Sequence, residues 1–179
     1  MHEIIDFKVL STIFAVAIIT KPPEELVFES LAELYDQFHA LLIGKDFRSP
    51  RGAPIIIVPH HFFHLVKLQK GIQTEFDLAV EEDLIRATIR GLGDYKIDVS
   101  RAQRLSWVPD VLRNPMEILE PNVKKTADEE FLREYNKGGS AFRAALLRRE
   151  SGSLRLITCM PRRKRAVEKL RLESKRLWP

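Results

Sequence analysis

The hydrophobic pattern changes character two thirds of the way along this chain. From Glu24 to Ile43 the apolar residues Val27, Leu31, Leu34, Phe38 and Leu41 recur at spacings of three and four. That spacing predicts an amphipathic helix, with Gly44 as its stop. Asp77 to Arg90 repeats the pattern: Leu78, Leu84, Ile85 and Ile89 oppose Glu81, Glu82 and Arg86, and Gly91 and Gly93 close it. Ser100 to Leu112 reads as a further helix, broken at Pro109. After Asn114-Pro115 the runs become short. Met116–Leu119, Glu130–Tyr135, Ala141–Arg149 and Leu154–Cys159 predict strands, with Gly138-Gly139 and Ser151-Gly152-Ser153 as separating turns. Strands joined so tightly form an antiparallel meander.

The remaining segments are less regular. Residues 4–19 are rich in Ile, Val and Phe and predict a strand, bent at Ser11-Thr12. The run Val9–Thr20 is too short to cross a bilayer as a helix, and Glu3 and Asp6 flank it without a positive leader. It is expected to be a buried strand or short core helix. Pro22-Pro23 stop it or open the next element. Arg48 to Pro54 is a loop, and Ile55 to Val58 a short apolar run before Pro59. His60 to Val66 fits helix or strand, with Gly71 as its end. The expected fold is α+β: a helical N-terminal half packed on one face of a small antiparallel sheet of about four strands, the other face open as a basic cleft. Three parts follow: 1–50, a strand and helix appendage; 51–161, the α+β domain; and 162–179, a basic C-terminal tail with a helix.

Charge sharpens this picture. From Arg143 to Arg176 there are twelve Arg or Lys and three Glu, a net of +9 in a chain of +4 overall. Charge so concentrated suits a polyanion, with a phosphate backbone the first candidate. A membrane surface, an acidic protein or a merely solvated face are the other readings. The single cysteine, Cys159, excludes an internal disulfide and a cysteine-based zinc knuckle, and fits a reducing, cytoplasmic setting. No glycine-rich phosphate loop, dinucleotide fingerprint or internal repeat is present in the sequence.

Candidate chemistry begins at His60, His61 and His64. On a helix, His60 and His64 share a face, as do His61 and His64. The spacing can hold a metal, but H-E-x-x-H is absent. It also suits proton transfer near neutrality. RNA carries its own nucleophile, the 2′-hydroxyl. Cleaving it requires a base, an acid and cations for the phosphorane, and no metal. In the strands, Phe131, Arg133 and Tyr135 share a face by alternation, and Arg143 sits between Phe142 and Ala144. Arg155 lies opposite Thr158 unless a bulge intervenes. An open face can thus present Tyr135, Arg143 and Thr158 to a phosphate.

The segments H-H-F-F-H-L-V-K-L, S-R-A-Q-R-L-S-W-V-P-D-V-L-R-N-P-M-E-I-L, F-L-R-E-Y-N, A-F-R-A-A-L-L-R-R and L-R-L-I-T-C-M-P follow one another between residues 55 and 161. In this order they resemble the phage-associated nuclease families of the barnase–EndoU–colicin–RelE superfamily. The resemblance implies helices followed by a four-stranded antiparallel sheet. It also implies a metal-independent endoribonuclease, a toxin or a domain of a phage or conjugative-element protein, needing no cofactor. His64 matches the family's histidine, with His60 or His61 as alternatives, Arg143 its central-strand base and Thr158 its polar residue on the last strand. Tyr135 takes the place in the strand before. Lys67, Arg133, Arg155, Arg162, Arg163, Lys164 and Arg165, with His60 and His61, would bind substrate. RNA is the expected partner, with an acidic immunity or antitoxin protein where the chain is a toxin. A non-enzymatic nucleic-acid-binding or regulatory module, and a phage or mobile-element structural protein, are the alternatives.

Overall fold

The computed structural model describes residues 21–67, 82–91, 97–122, 127–136 and 140–178. The strand expected over 4–19, the stops at Gly71 and Gly93, the first turn of the helix expected from Asp77 and the Gly138-Gly139 turn lie outside the described residues. The first helix, α1 (Leu31–Leu42), is shorter than its periodicity suggested. Ser30 sets its start, its hydroxyl accepting the Glu33 N–H at 3.1 Å, while the Glu33 carboxylate reaches back to the Glu29 N–H at 2.7 Å. Two amide donors left over at a helix start are satisfied this way, so the helix begins there and not at Glu24. The stretch before it is tied down elsewhere, Leu26 N–H donating to the Gln103 carbonyl at 2.6 Å. Leu34, Tyr35, Phe38 and Leu42 form the buried stripe of α1, and Gly44 leaves it with a φ of 70°.

Two short strands follow, β1 (Phe47–Arg48) and β2 (Pro54–Ile56), and then α2 (His61–Val66). Lys67 ends α2 at a φ of 53°. Helix α3 (Glu82–Gly91) packs beside α1. Helix α4 (Val99–Gln103) is capped by the Asp98 carboxylate, which accepts the Arg101 N–H at 3.1 Å. A 3-10 turn (Arg104–Trp107) leads into α5 (Val108–Arg113). The switch from 3-10 to α geometry falls just before Pro109, which sits in the first turn of α5, where its missing N–H costs no intrahelical bond.

The sheet corrects the expected fold. Strands β3 (Glu117–Pro121), β4 (Glu129–Asn136), β5 (Ser140–Glu150) and β6 (Ser153–Arg162) do form the antiparallel series. It does not end there. Helix α6 (Lys164–Leu172) and β7 (Ser174–Trp178) complete the elements. The order is β1-β2-β6-β5-β4-β3-β7, seven strands, with β2 parallel to β6. The result is a curled, mixed half-barrel and not a small four-stranded antiparallel sheet. A bulge contributes to the curl: Leu146 faces Thr158 while Leu147 faces Leu156, so Ile157 is an extra residue. Arg155 alternates with the core residues Leu154 and Leu156, whereas the Thr158 side chain reaches α2 and α4 on the core side.

No open face is presented by the central strands. On one side Phe131, Tyr135, Ala145, Leu147 and Leu156 join the core of α1, α2, α4 and α5. On the other, Leu132, Phe142, Ala144 and Leu146 are covered by Val167 and Leu170 of α6. The basic tail is therefore part of the fold. Arg162 holds both oxygens of Glu130 at 2.8 and 2.7 Å, and Arg171 and Arg176 both bind the buried Glu117. Among the described residues no helix is long and apolar enough to cross a membrane.

Replacing Arg171 with Ala strips the buried Glu117 carboxylate of its closer partner and is expected to lower stability by about 2–3 kcal/mol. Arg165→Ala, on the exposed side of α6, is expected to change it by less than about 0.5 kcal/mol. Urea denaturation of both variants checks the contrast.

Candidate anion site between the helices and the sheet

Helix α2 places its three histidines in different surroundings. His61 is buried, and its Nδ1 accepts the Val58 N–H at 3.1 Å. Accepting at Nδ1 leaves the proton of the neutral ring on Nε2. Burial, reinforced by His60, His64 and Arg155, pushes its pKa down from 6.5 to about 3. His61 is thus a structural acceptor that holds the turn into α2, not a proton carrier at neutral pH. His60 packs edge-on against it, with ring centres 4.6 Å apart, and lies 6.5 Å from the His64 ring. His64 is half-buried at the end of the helix.

His64 and Thr158 are brought together, though through the backbone. The Thr158 hydroxyl donates to the His64 carbonyl at 3.2 Å. Arg101, a residue the pattern did not single out, joins them. Its Nη2 lies 2.7 Å from Thr158 Oγ1, 3.1 Å from the His64 carbonyl and 3.2 Å from the Cys159 carbonyl. One guanidinium therefore ties α4 to the end of α2 and to β6. Burial lowers the Arg101 pKa, and its Nε is buried without a hydrogen-bond partner. The sequence offered no signal for this role beyond an arginine on a short helix. Its acceptors are 37 to 58 residues away.

Arg143 and Tyr135 meet around Trp107, also unflagged by the pattern. The Arg143 guanidinium lies 5.2 Å from the indole centre, that of Arg104 5.3 Å, and the Tyr135 ring 4.9 Å. Tyr135 is fully buried, and its hydroxyl donates to Asp110 Oδ2 at 2.7 Å. Burial and that bond raise its pKa. The hydroxyl is committed to α5 and is not presented to solvent. Arg133, opposite Arg143 in the β4–β5 register, lies 3.4 Å from the same carboxylate oxygen.

Arg143 differs from the other core charges. It is 3% exposed, and among the described residues its guanidinium makes no hydrogen bond or ion pair, with Nη2 closed to solvent. Burial lowers its pKa, and Arg104 and Arg101 push in the same direction. Removing a guanidinium from water without a counter-ion costs several kcal/mol. The indole face returns about 2 kcal/mol when desolvated. The balance is unfavourable for an unpaired guanidinium. Among the described residues Arg143 thus carries a buried charge without a counter-ion, within electrostatic reach of Arg101.

The other expected contacts are dispersed. Arg155 pairs with Glu150 at 2.9 Å, and Arg162 with Glu130 on the opposite side of the sheet. Lys67, Arg163, Lys164 and Arg165 are exposed, the last three at the start of α6. Among the described residues no group of three or more His, Cys, Asp or Glu is placed to hold a metal ion.

Two outcomes test this geometry. Since the folded pKa of His61 is below its unfolded value, its contribution is complete above pH 6.5 and is lost as pH falls toward 3. Denaturation midpoints should decline through that window, and His61→Asn, which keeps an acceptor without titrating, should flatten the decline. Arg143→Met, which replaces an uncompensated charge with an apolar chain of similar length, should raise stability by about 1 kcal/mol or more. A loss instead would show that the guanidinium is already balanced.

The chain matches no protein-family profile, no curated protein and no solved structure.

Proposed function

We propose that this chain is a metal-independent endoribonuclease whose scissile phosphate is received by Arg143, with Arg101 and Thr158 beside it. The observation carrying the reading is the buried Arg143 guanidinium, which has no carboxylate partner among the described residues. A phosphodiester oxygen supplies the missing charge, and a guanidinium matches its geometry. In the reaction the RNA 2′-oxygen bonds to phosphorus while the bond to the 5′-oxygen breaks. The 2′ proton leaves to one base, and the departing 5′-oxygen gains a proton from an acid. His64 and His60 are the imidazoles that fill these roles, since His61 is held neutral. The products are a 2′,3′-cyclic phosphate and a 5′-hydroxyl. Tyr135 acts by positioning Asp110 and Trp107, not by contacting RNA. Lys67, Arg163, Lys164 and Arg165 add salt-sensitive affinity.

A second reading is a non-enzymatic nucleic-acid-binding module. It is favoured by the commitment of Arg101 to backbone carbonyls and of Tyr135 to Asp110, which leaves few donors free for a transition state.

Incubation with end-labelled RNA in excess chelator separates the two. The nuclease reading expects cleavage that His64→Ala slows by about 10²–10⁴-fold while binding is retained. Arg143→Lys should slow it by about 10²-fold. RNA left intact across varied sequences and structures overturns the nuclease. Salt-dependent binding without turnover, unchanged in His64→Ala, establishes the binder.

A further inference from the structure

The far end of β4, six residues from Tyr135 or about 20 Å at 3.3 Å per residue, carries a buried carboxylate with one oxygen lacking a donor. A cavity of about 330 Å³ opens between the β1–β2 loop and the β5–β6 turn, lined by Ser49, Arg51, Glu129, Arg149, Ser151 and Ser153 among others. Glu129 is 3% exposed. Its Oε1 accepts from Arg51 Nη1 at 3.2 Å and Arg149 Nε at 2.9 Å. Its Oε2 is buried with no hydrogen-bond partner. A buried carboxylate oxygen without a donor is costly, and at the wall of a ligand-sized cavity it marks a contact to be completed.

We propose that this cavity binds a small zwitterion of the α-amino-acid type. The charges select the class. The lining carries the guanidiniums of Arg51 and Arg149 and the carboxylates of Glu129 and Glu150, so two charges of each sign balance there. A ligand with net charge would upset that balance, and a zwitterion does not. Its ammonium supplies the donor that Glu129 Oε2 lacks. Its carboxylate meets the N–H groups that half-exposed Arg51 does not spend on Glu129. The Arg51 side chain moves to admit it, because Oε2 is closed to solvent in the empty site. The serines around the cavity serve the polar part of the ligand.

The test does not depend on any nuclease activity. Melting temperature of the full chain is measured with each proteinogenic α-amino acid at millimolar concentration, then with N-acetylated and decarboxylated forms of any that act. At least one amino acid should raise the melting temperature, and each blocked form should bind about tenfold more weakly or worse. Arg51→Ala, which removes a half-exposed side chain on a loop, should weaken binding by a similar factor, and Glu168→Ala, on the exposed side of α6, should leave it unchanged. The proposal is overturned if no amino acid shifts the melting temperature, if blocked forms bind equally, or if binding survives Arg51→Ala.

Discussion

Burying charge in this molecule demands an opposite charge, and the arrangement of the whole sheet answers that demand. Glu117, Glu129 and Glu130 all lie in the interior on β3 and β4. Each is met by arginine: Glu117 by Arg171 and Arg176, Glu129 by Arg51 and Arg149, Glu130 by Arg162. These arginines come from the first loop, from β5 and β6 and from the C-terminal segment. The pairs thereby stitch the β1–β2 loop and the C-terminal segment to the central strands. Pairing of this kind adds little net stability over apolar packing, but breaking it is costly, so it favours one docking of the tail over others.

Against that background Arg143 is an exception with a physical meaning. The chain supplies a counter-charge for every buried glutamate just named, yet sets one guanidinium against an indole ring with two further arginines nearby. Uncompensated charge stored in a core is a feature of sites that await a ligand. Arg101, within electrostatic reach of Arg143, ties α4 to the end of α2 and to β6.

Local elements were legible because they rest on local physics. The four central strands, the helix of α1 and the helical tail segment follow from apolar spacing and glycine or proline punctuation. The parallel partnership of β2 with β6 was not legible, since a three-residue strand carries no periodicity and its partner lies about a hundred residues away. The tail strand β7 was hidden by its own charge: Lys175 and Arg176 read as solvated, yet the strand completes the sheet edge. Within the site, His64, Thr158, Arg143 and Tyr135 could be picked out as polar residues in apolar runs. Arg101, Trp107 and Asp110 could not, because each matters only through a partner brought to it by the fold. The expected open face failed for a related reason, as alternation marks two faces without saying that helices cover both.

The sequence by itself determined that α1, α6 and the four central strands form, that the C-terminal third is basic, and which side chains can carry protons or grip phosphate. These are properties of neighbouring residues and of composition. Tertiary structure decided which of the basic residues face inward and which histidine loses its proton affinity. Among the described residues it also decided which buried arginine is left without a counter-charge. Those outcomes depend on desolvation and on distances between residues far apart in the chain, quantities that no local pattern encodes.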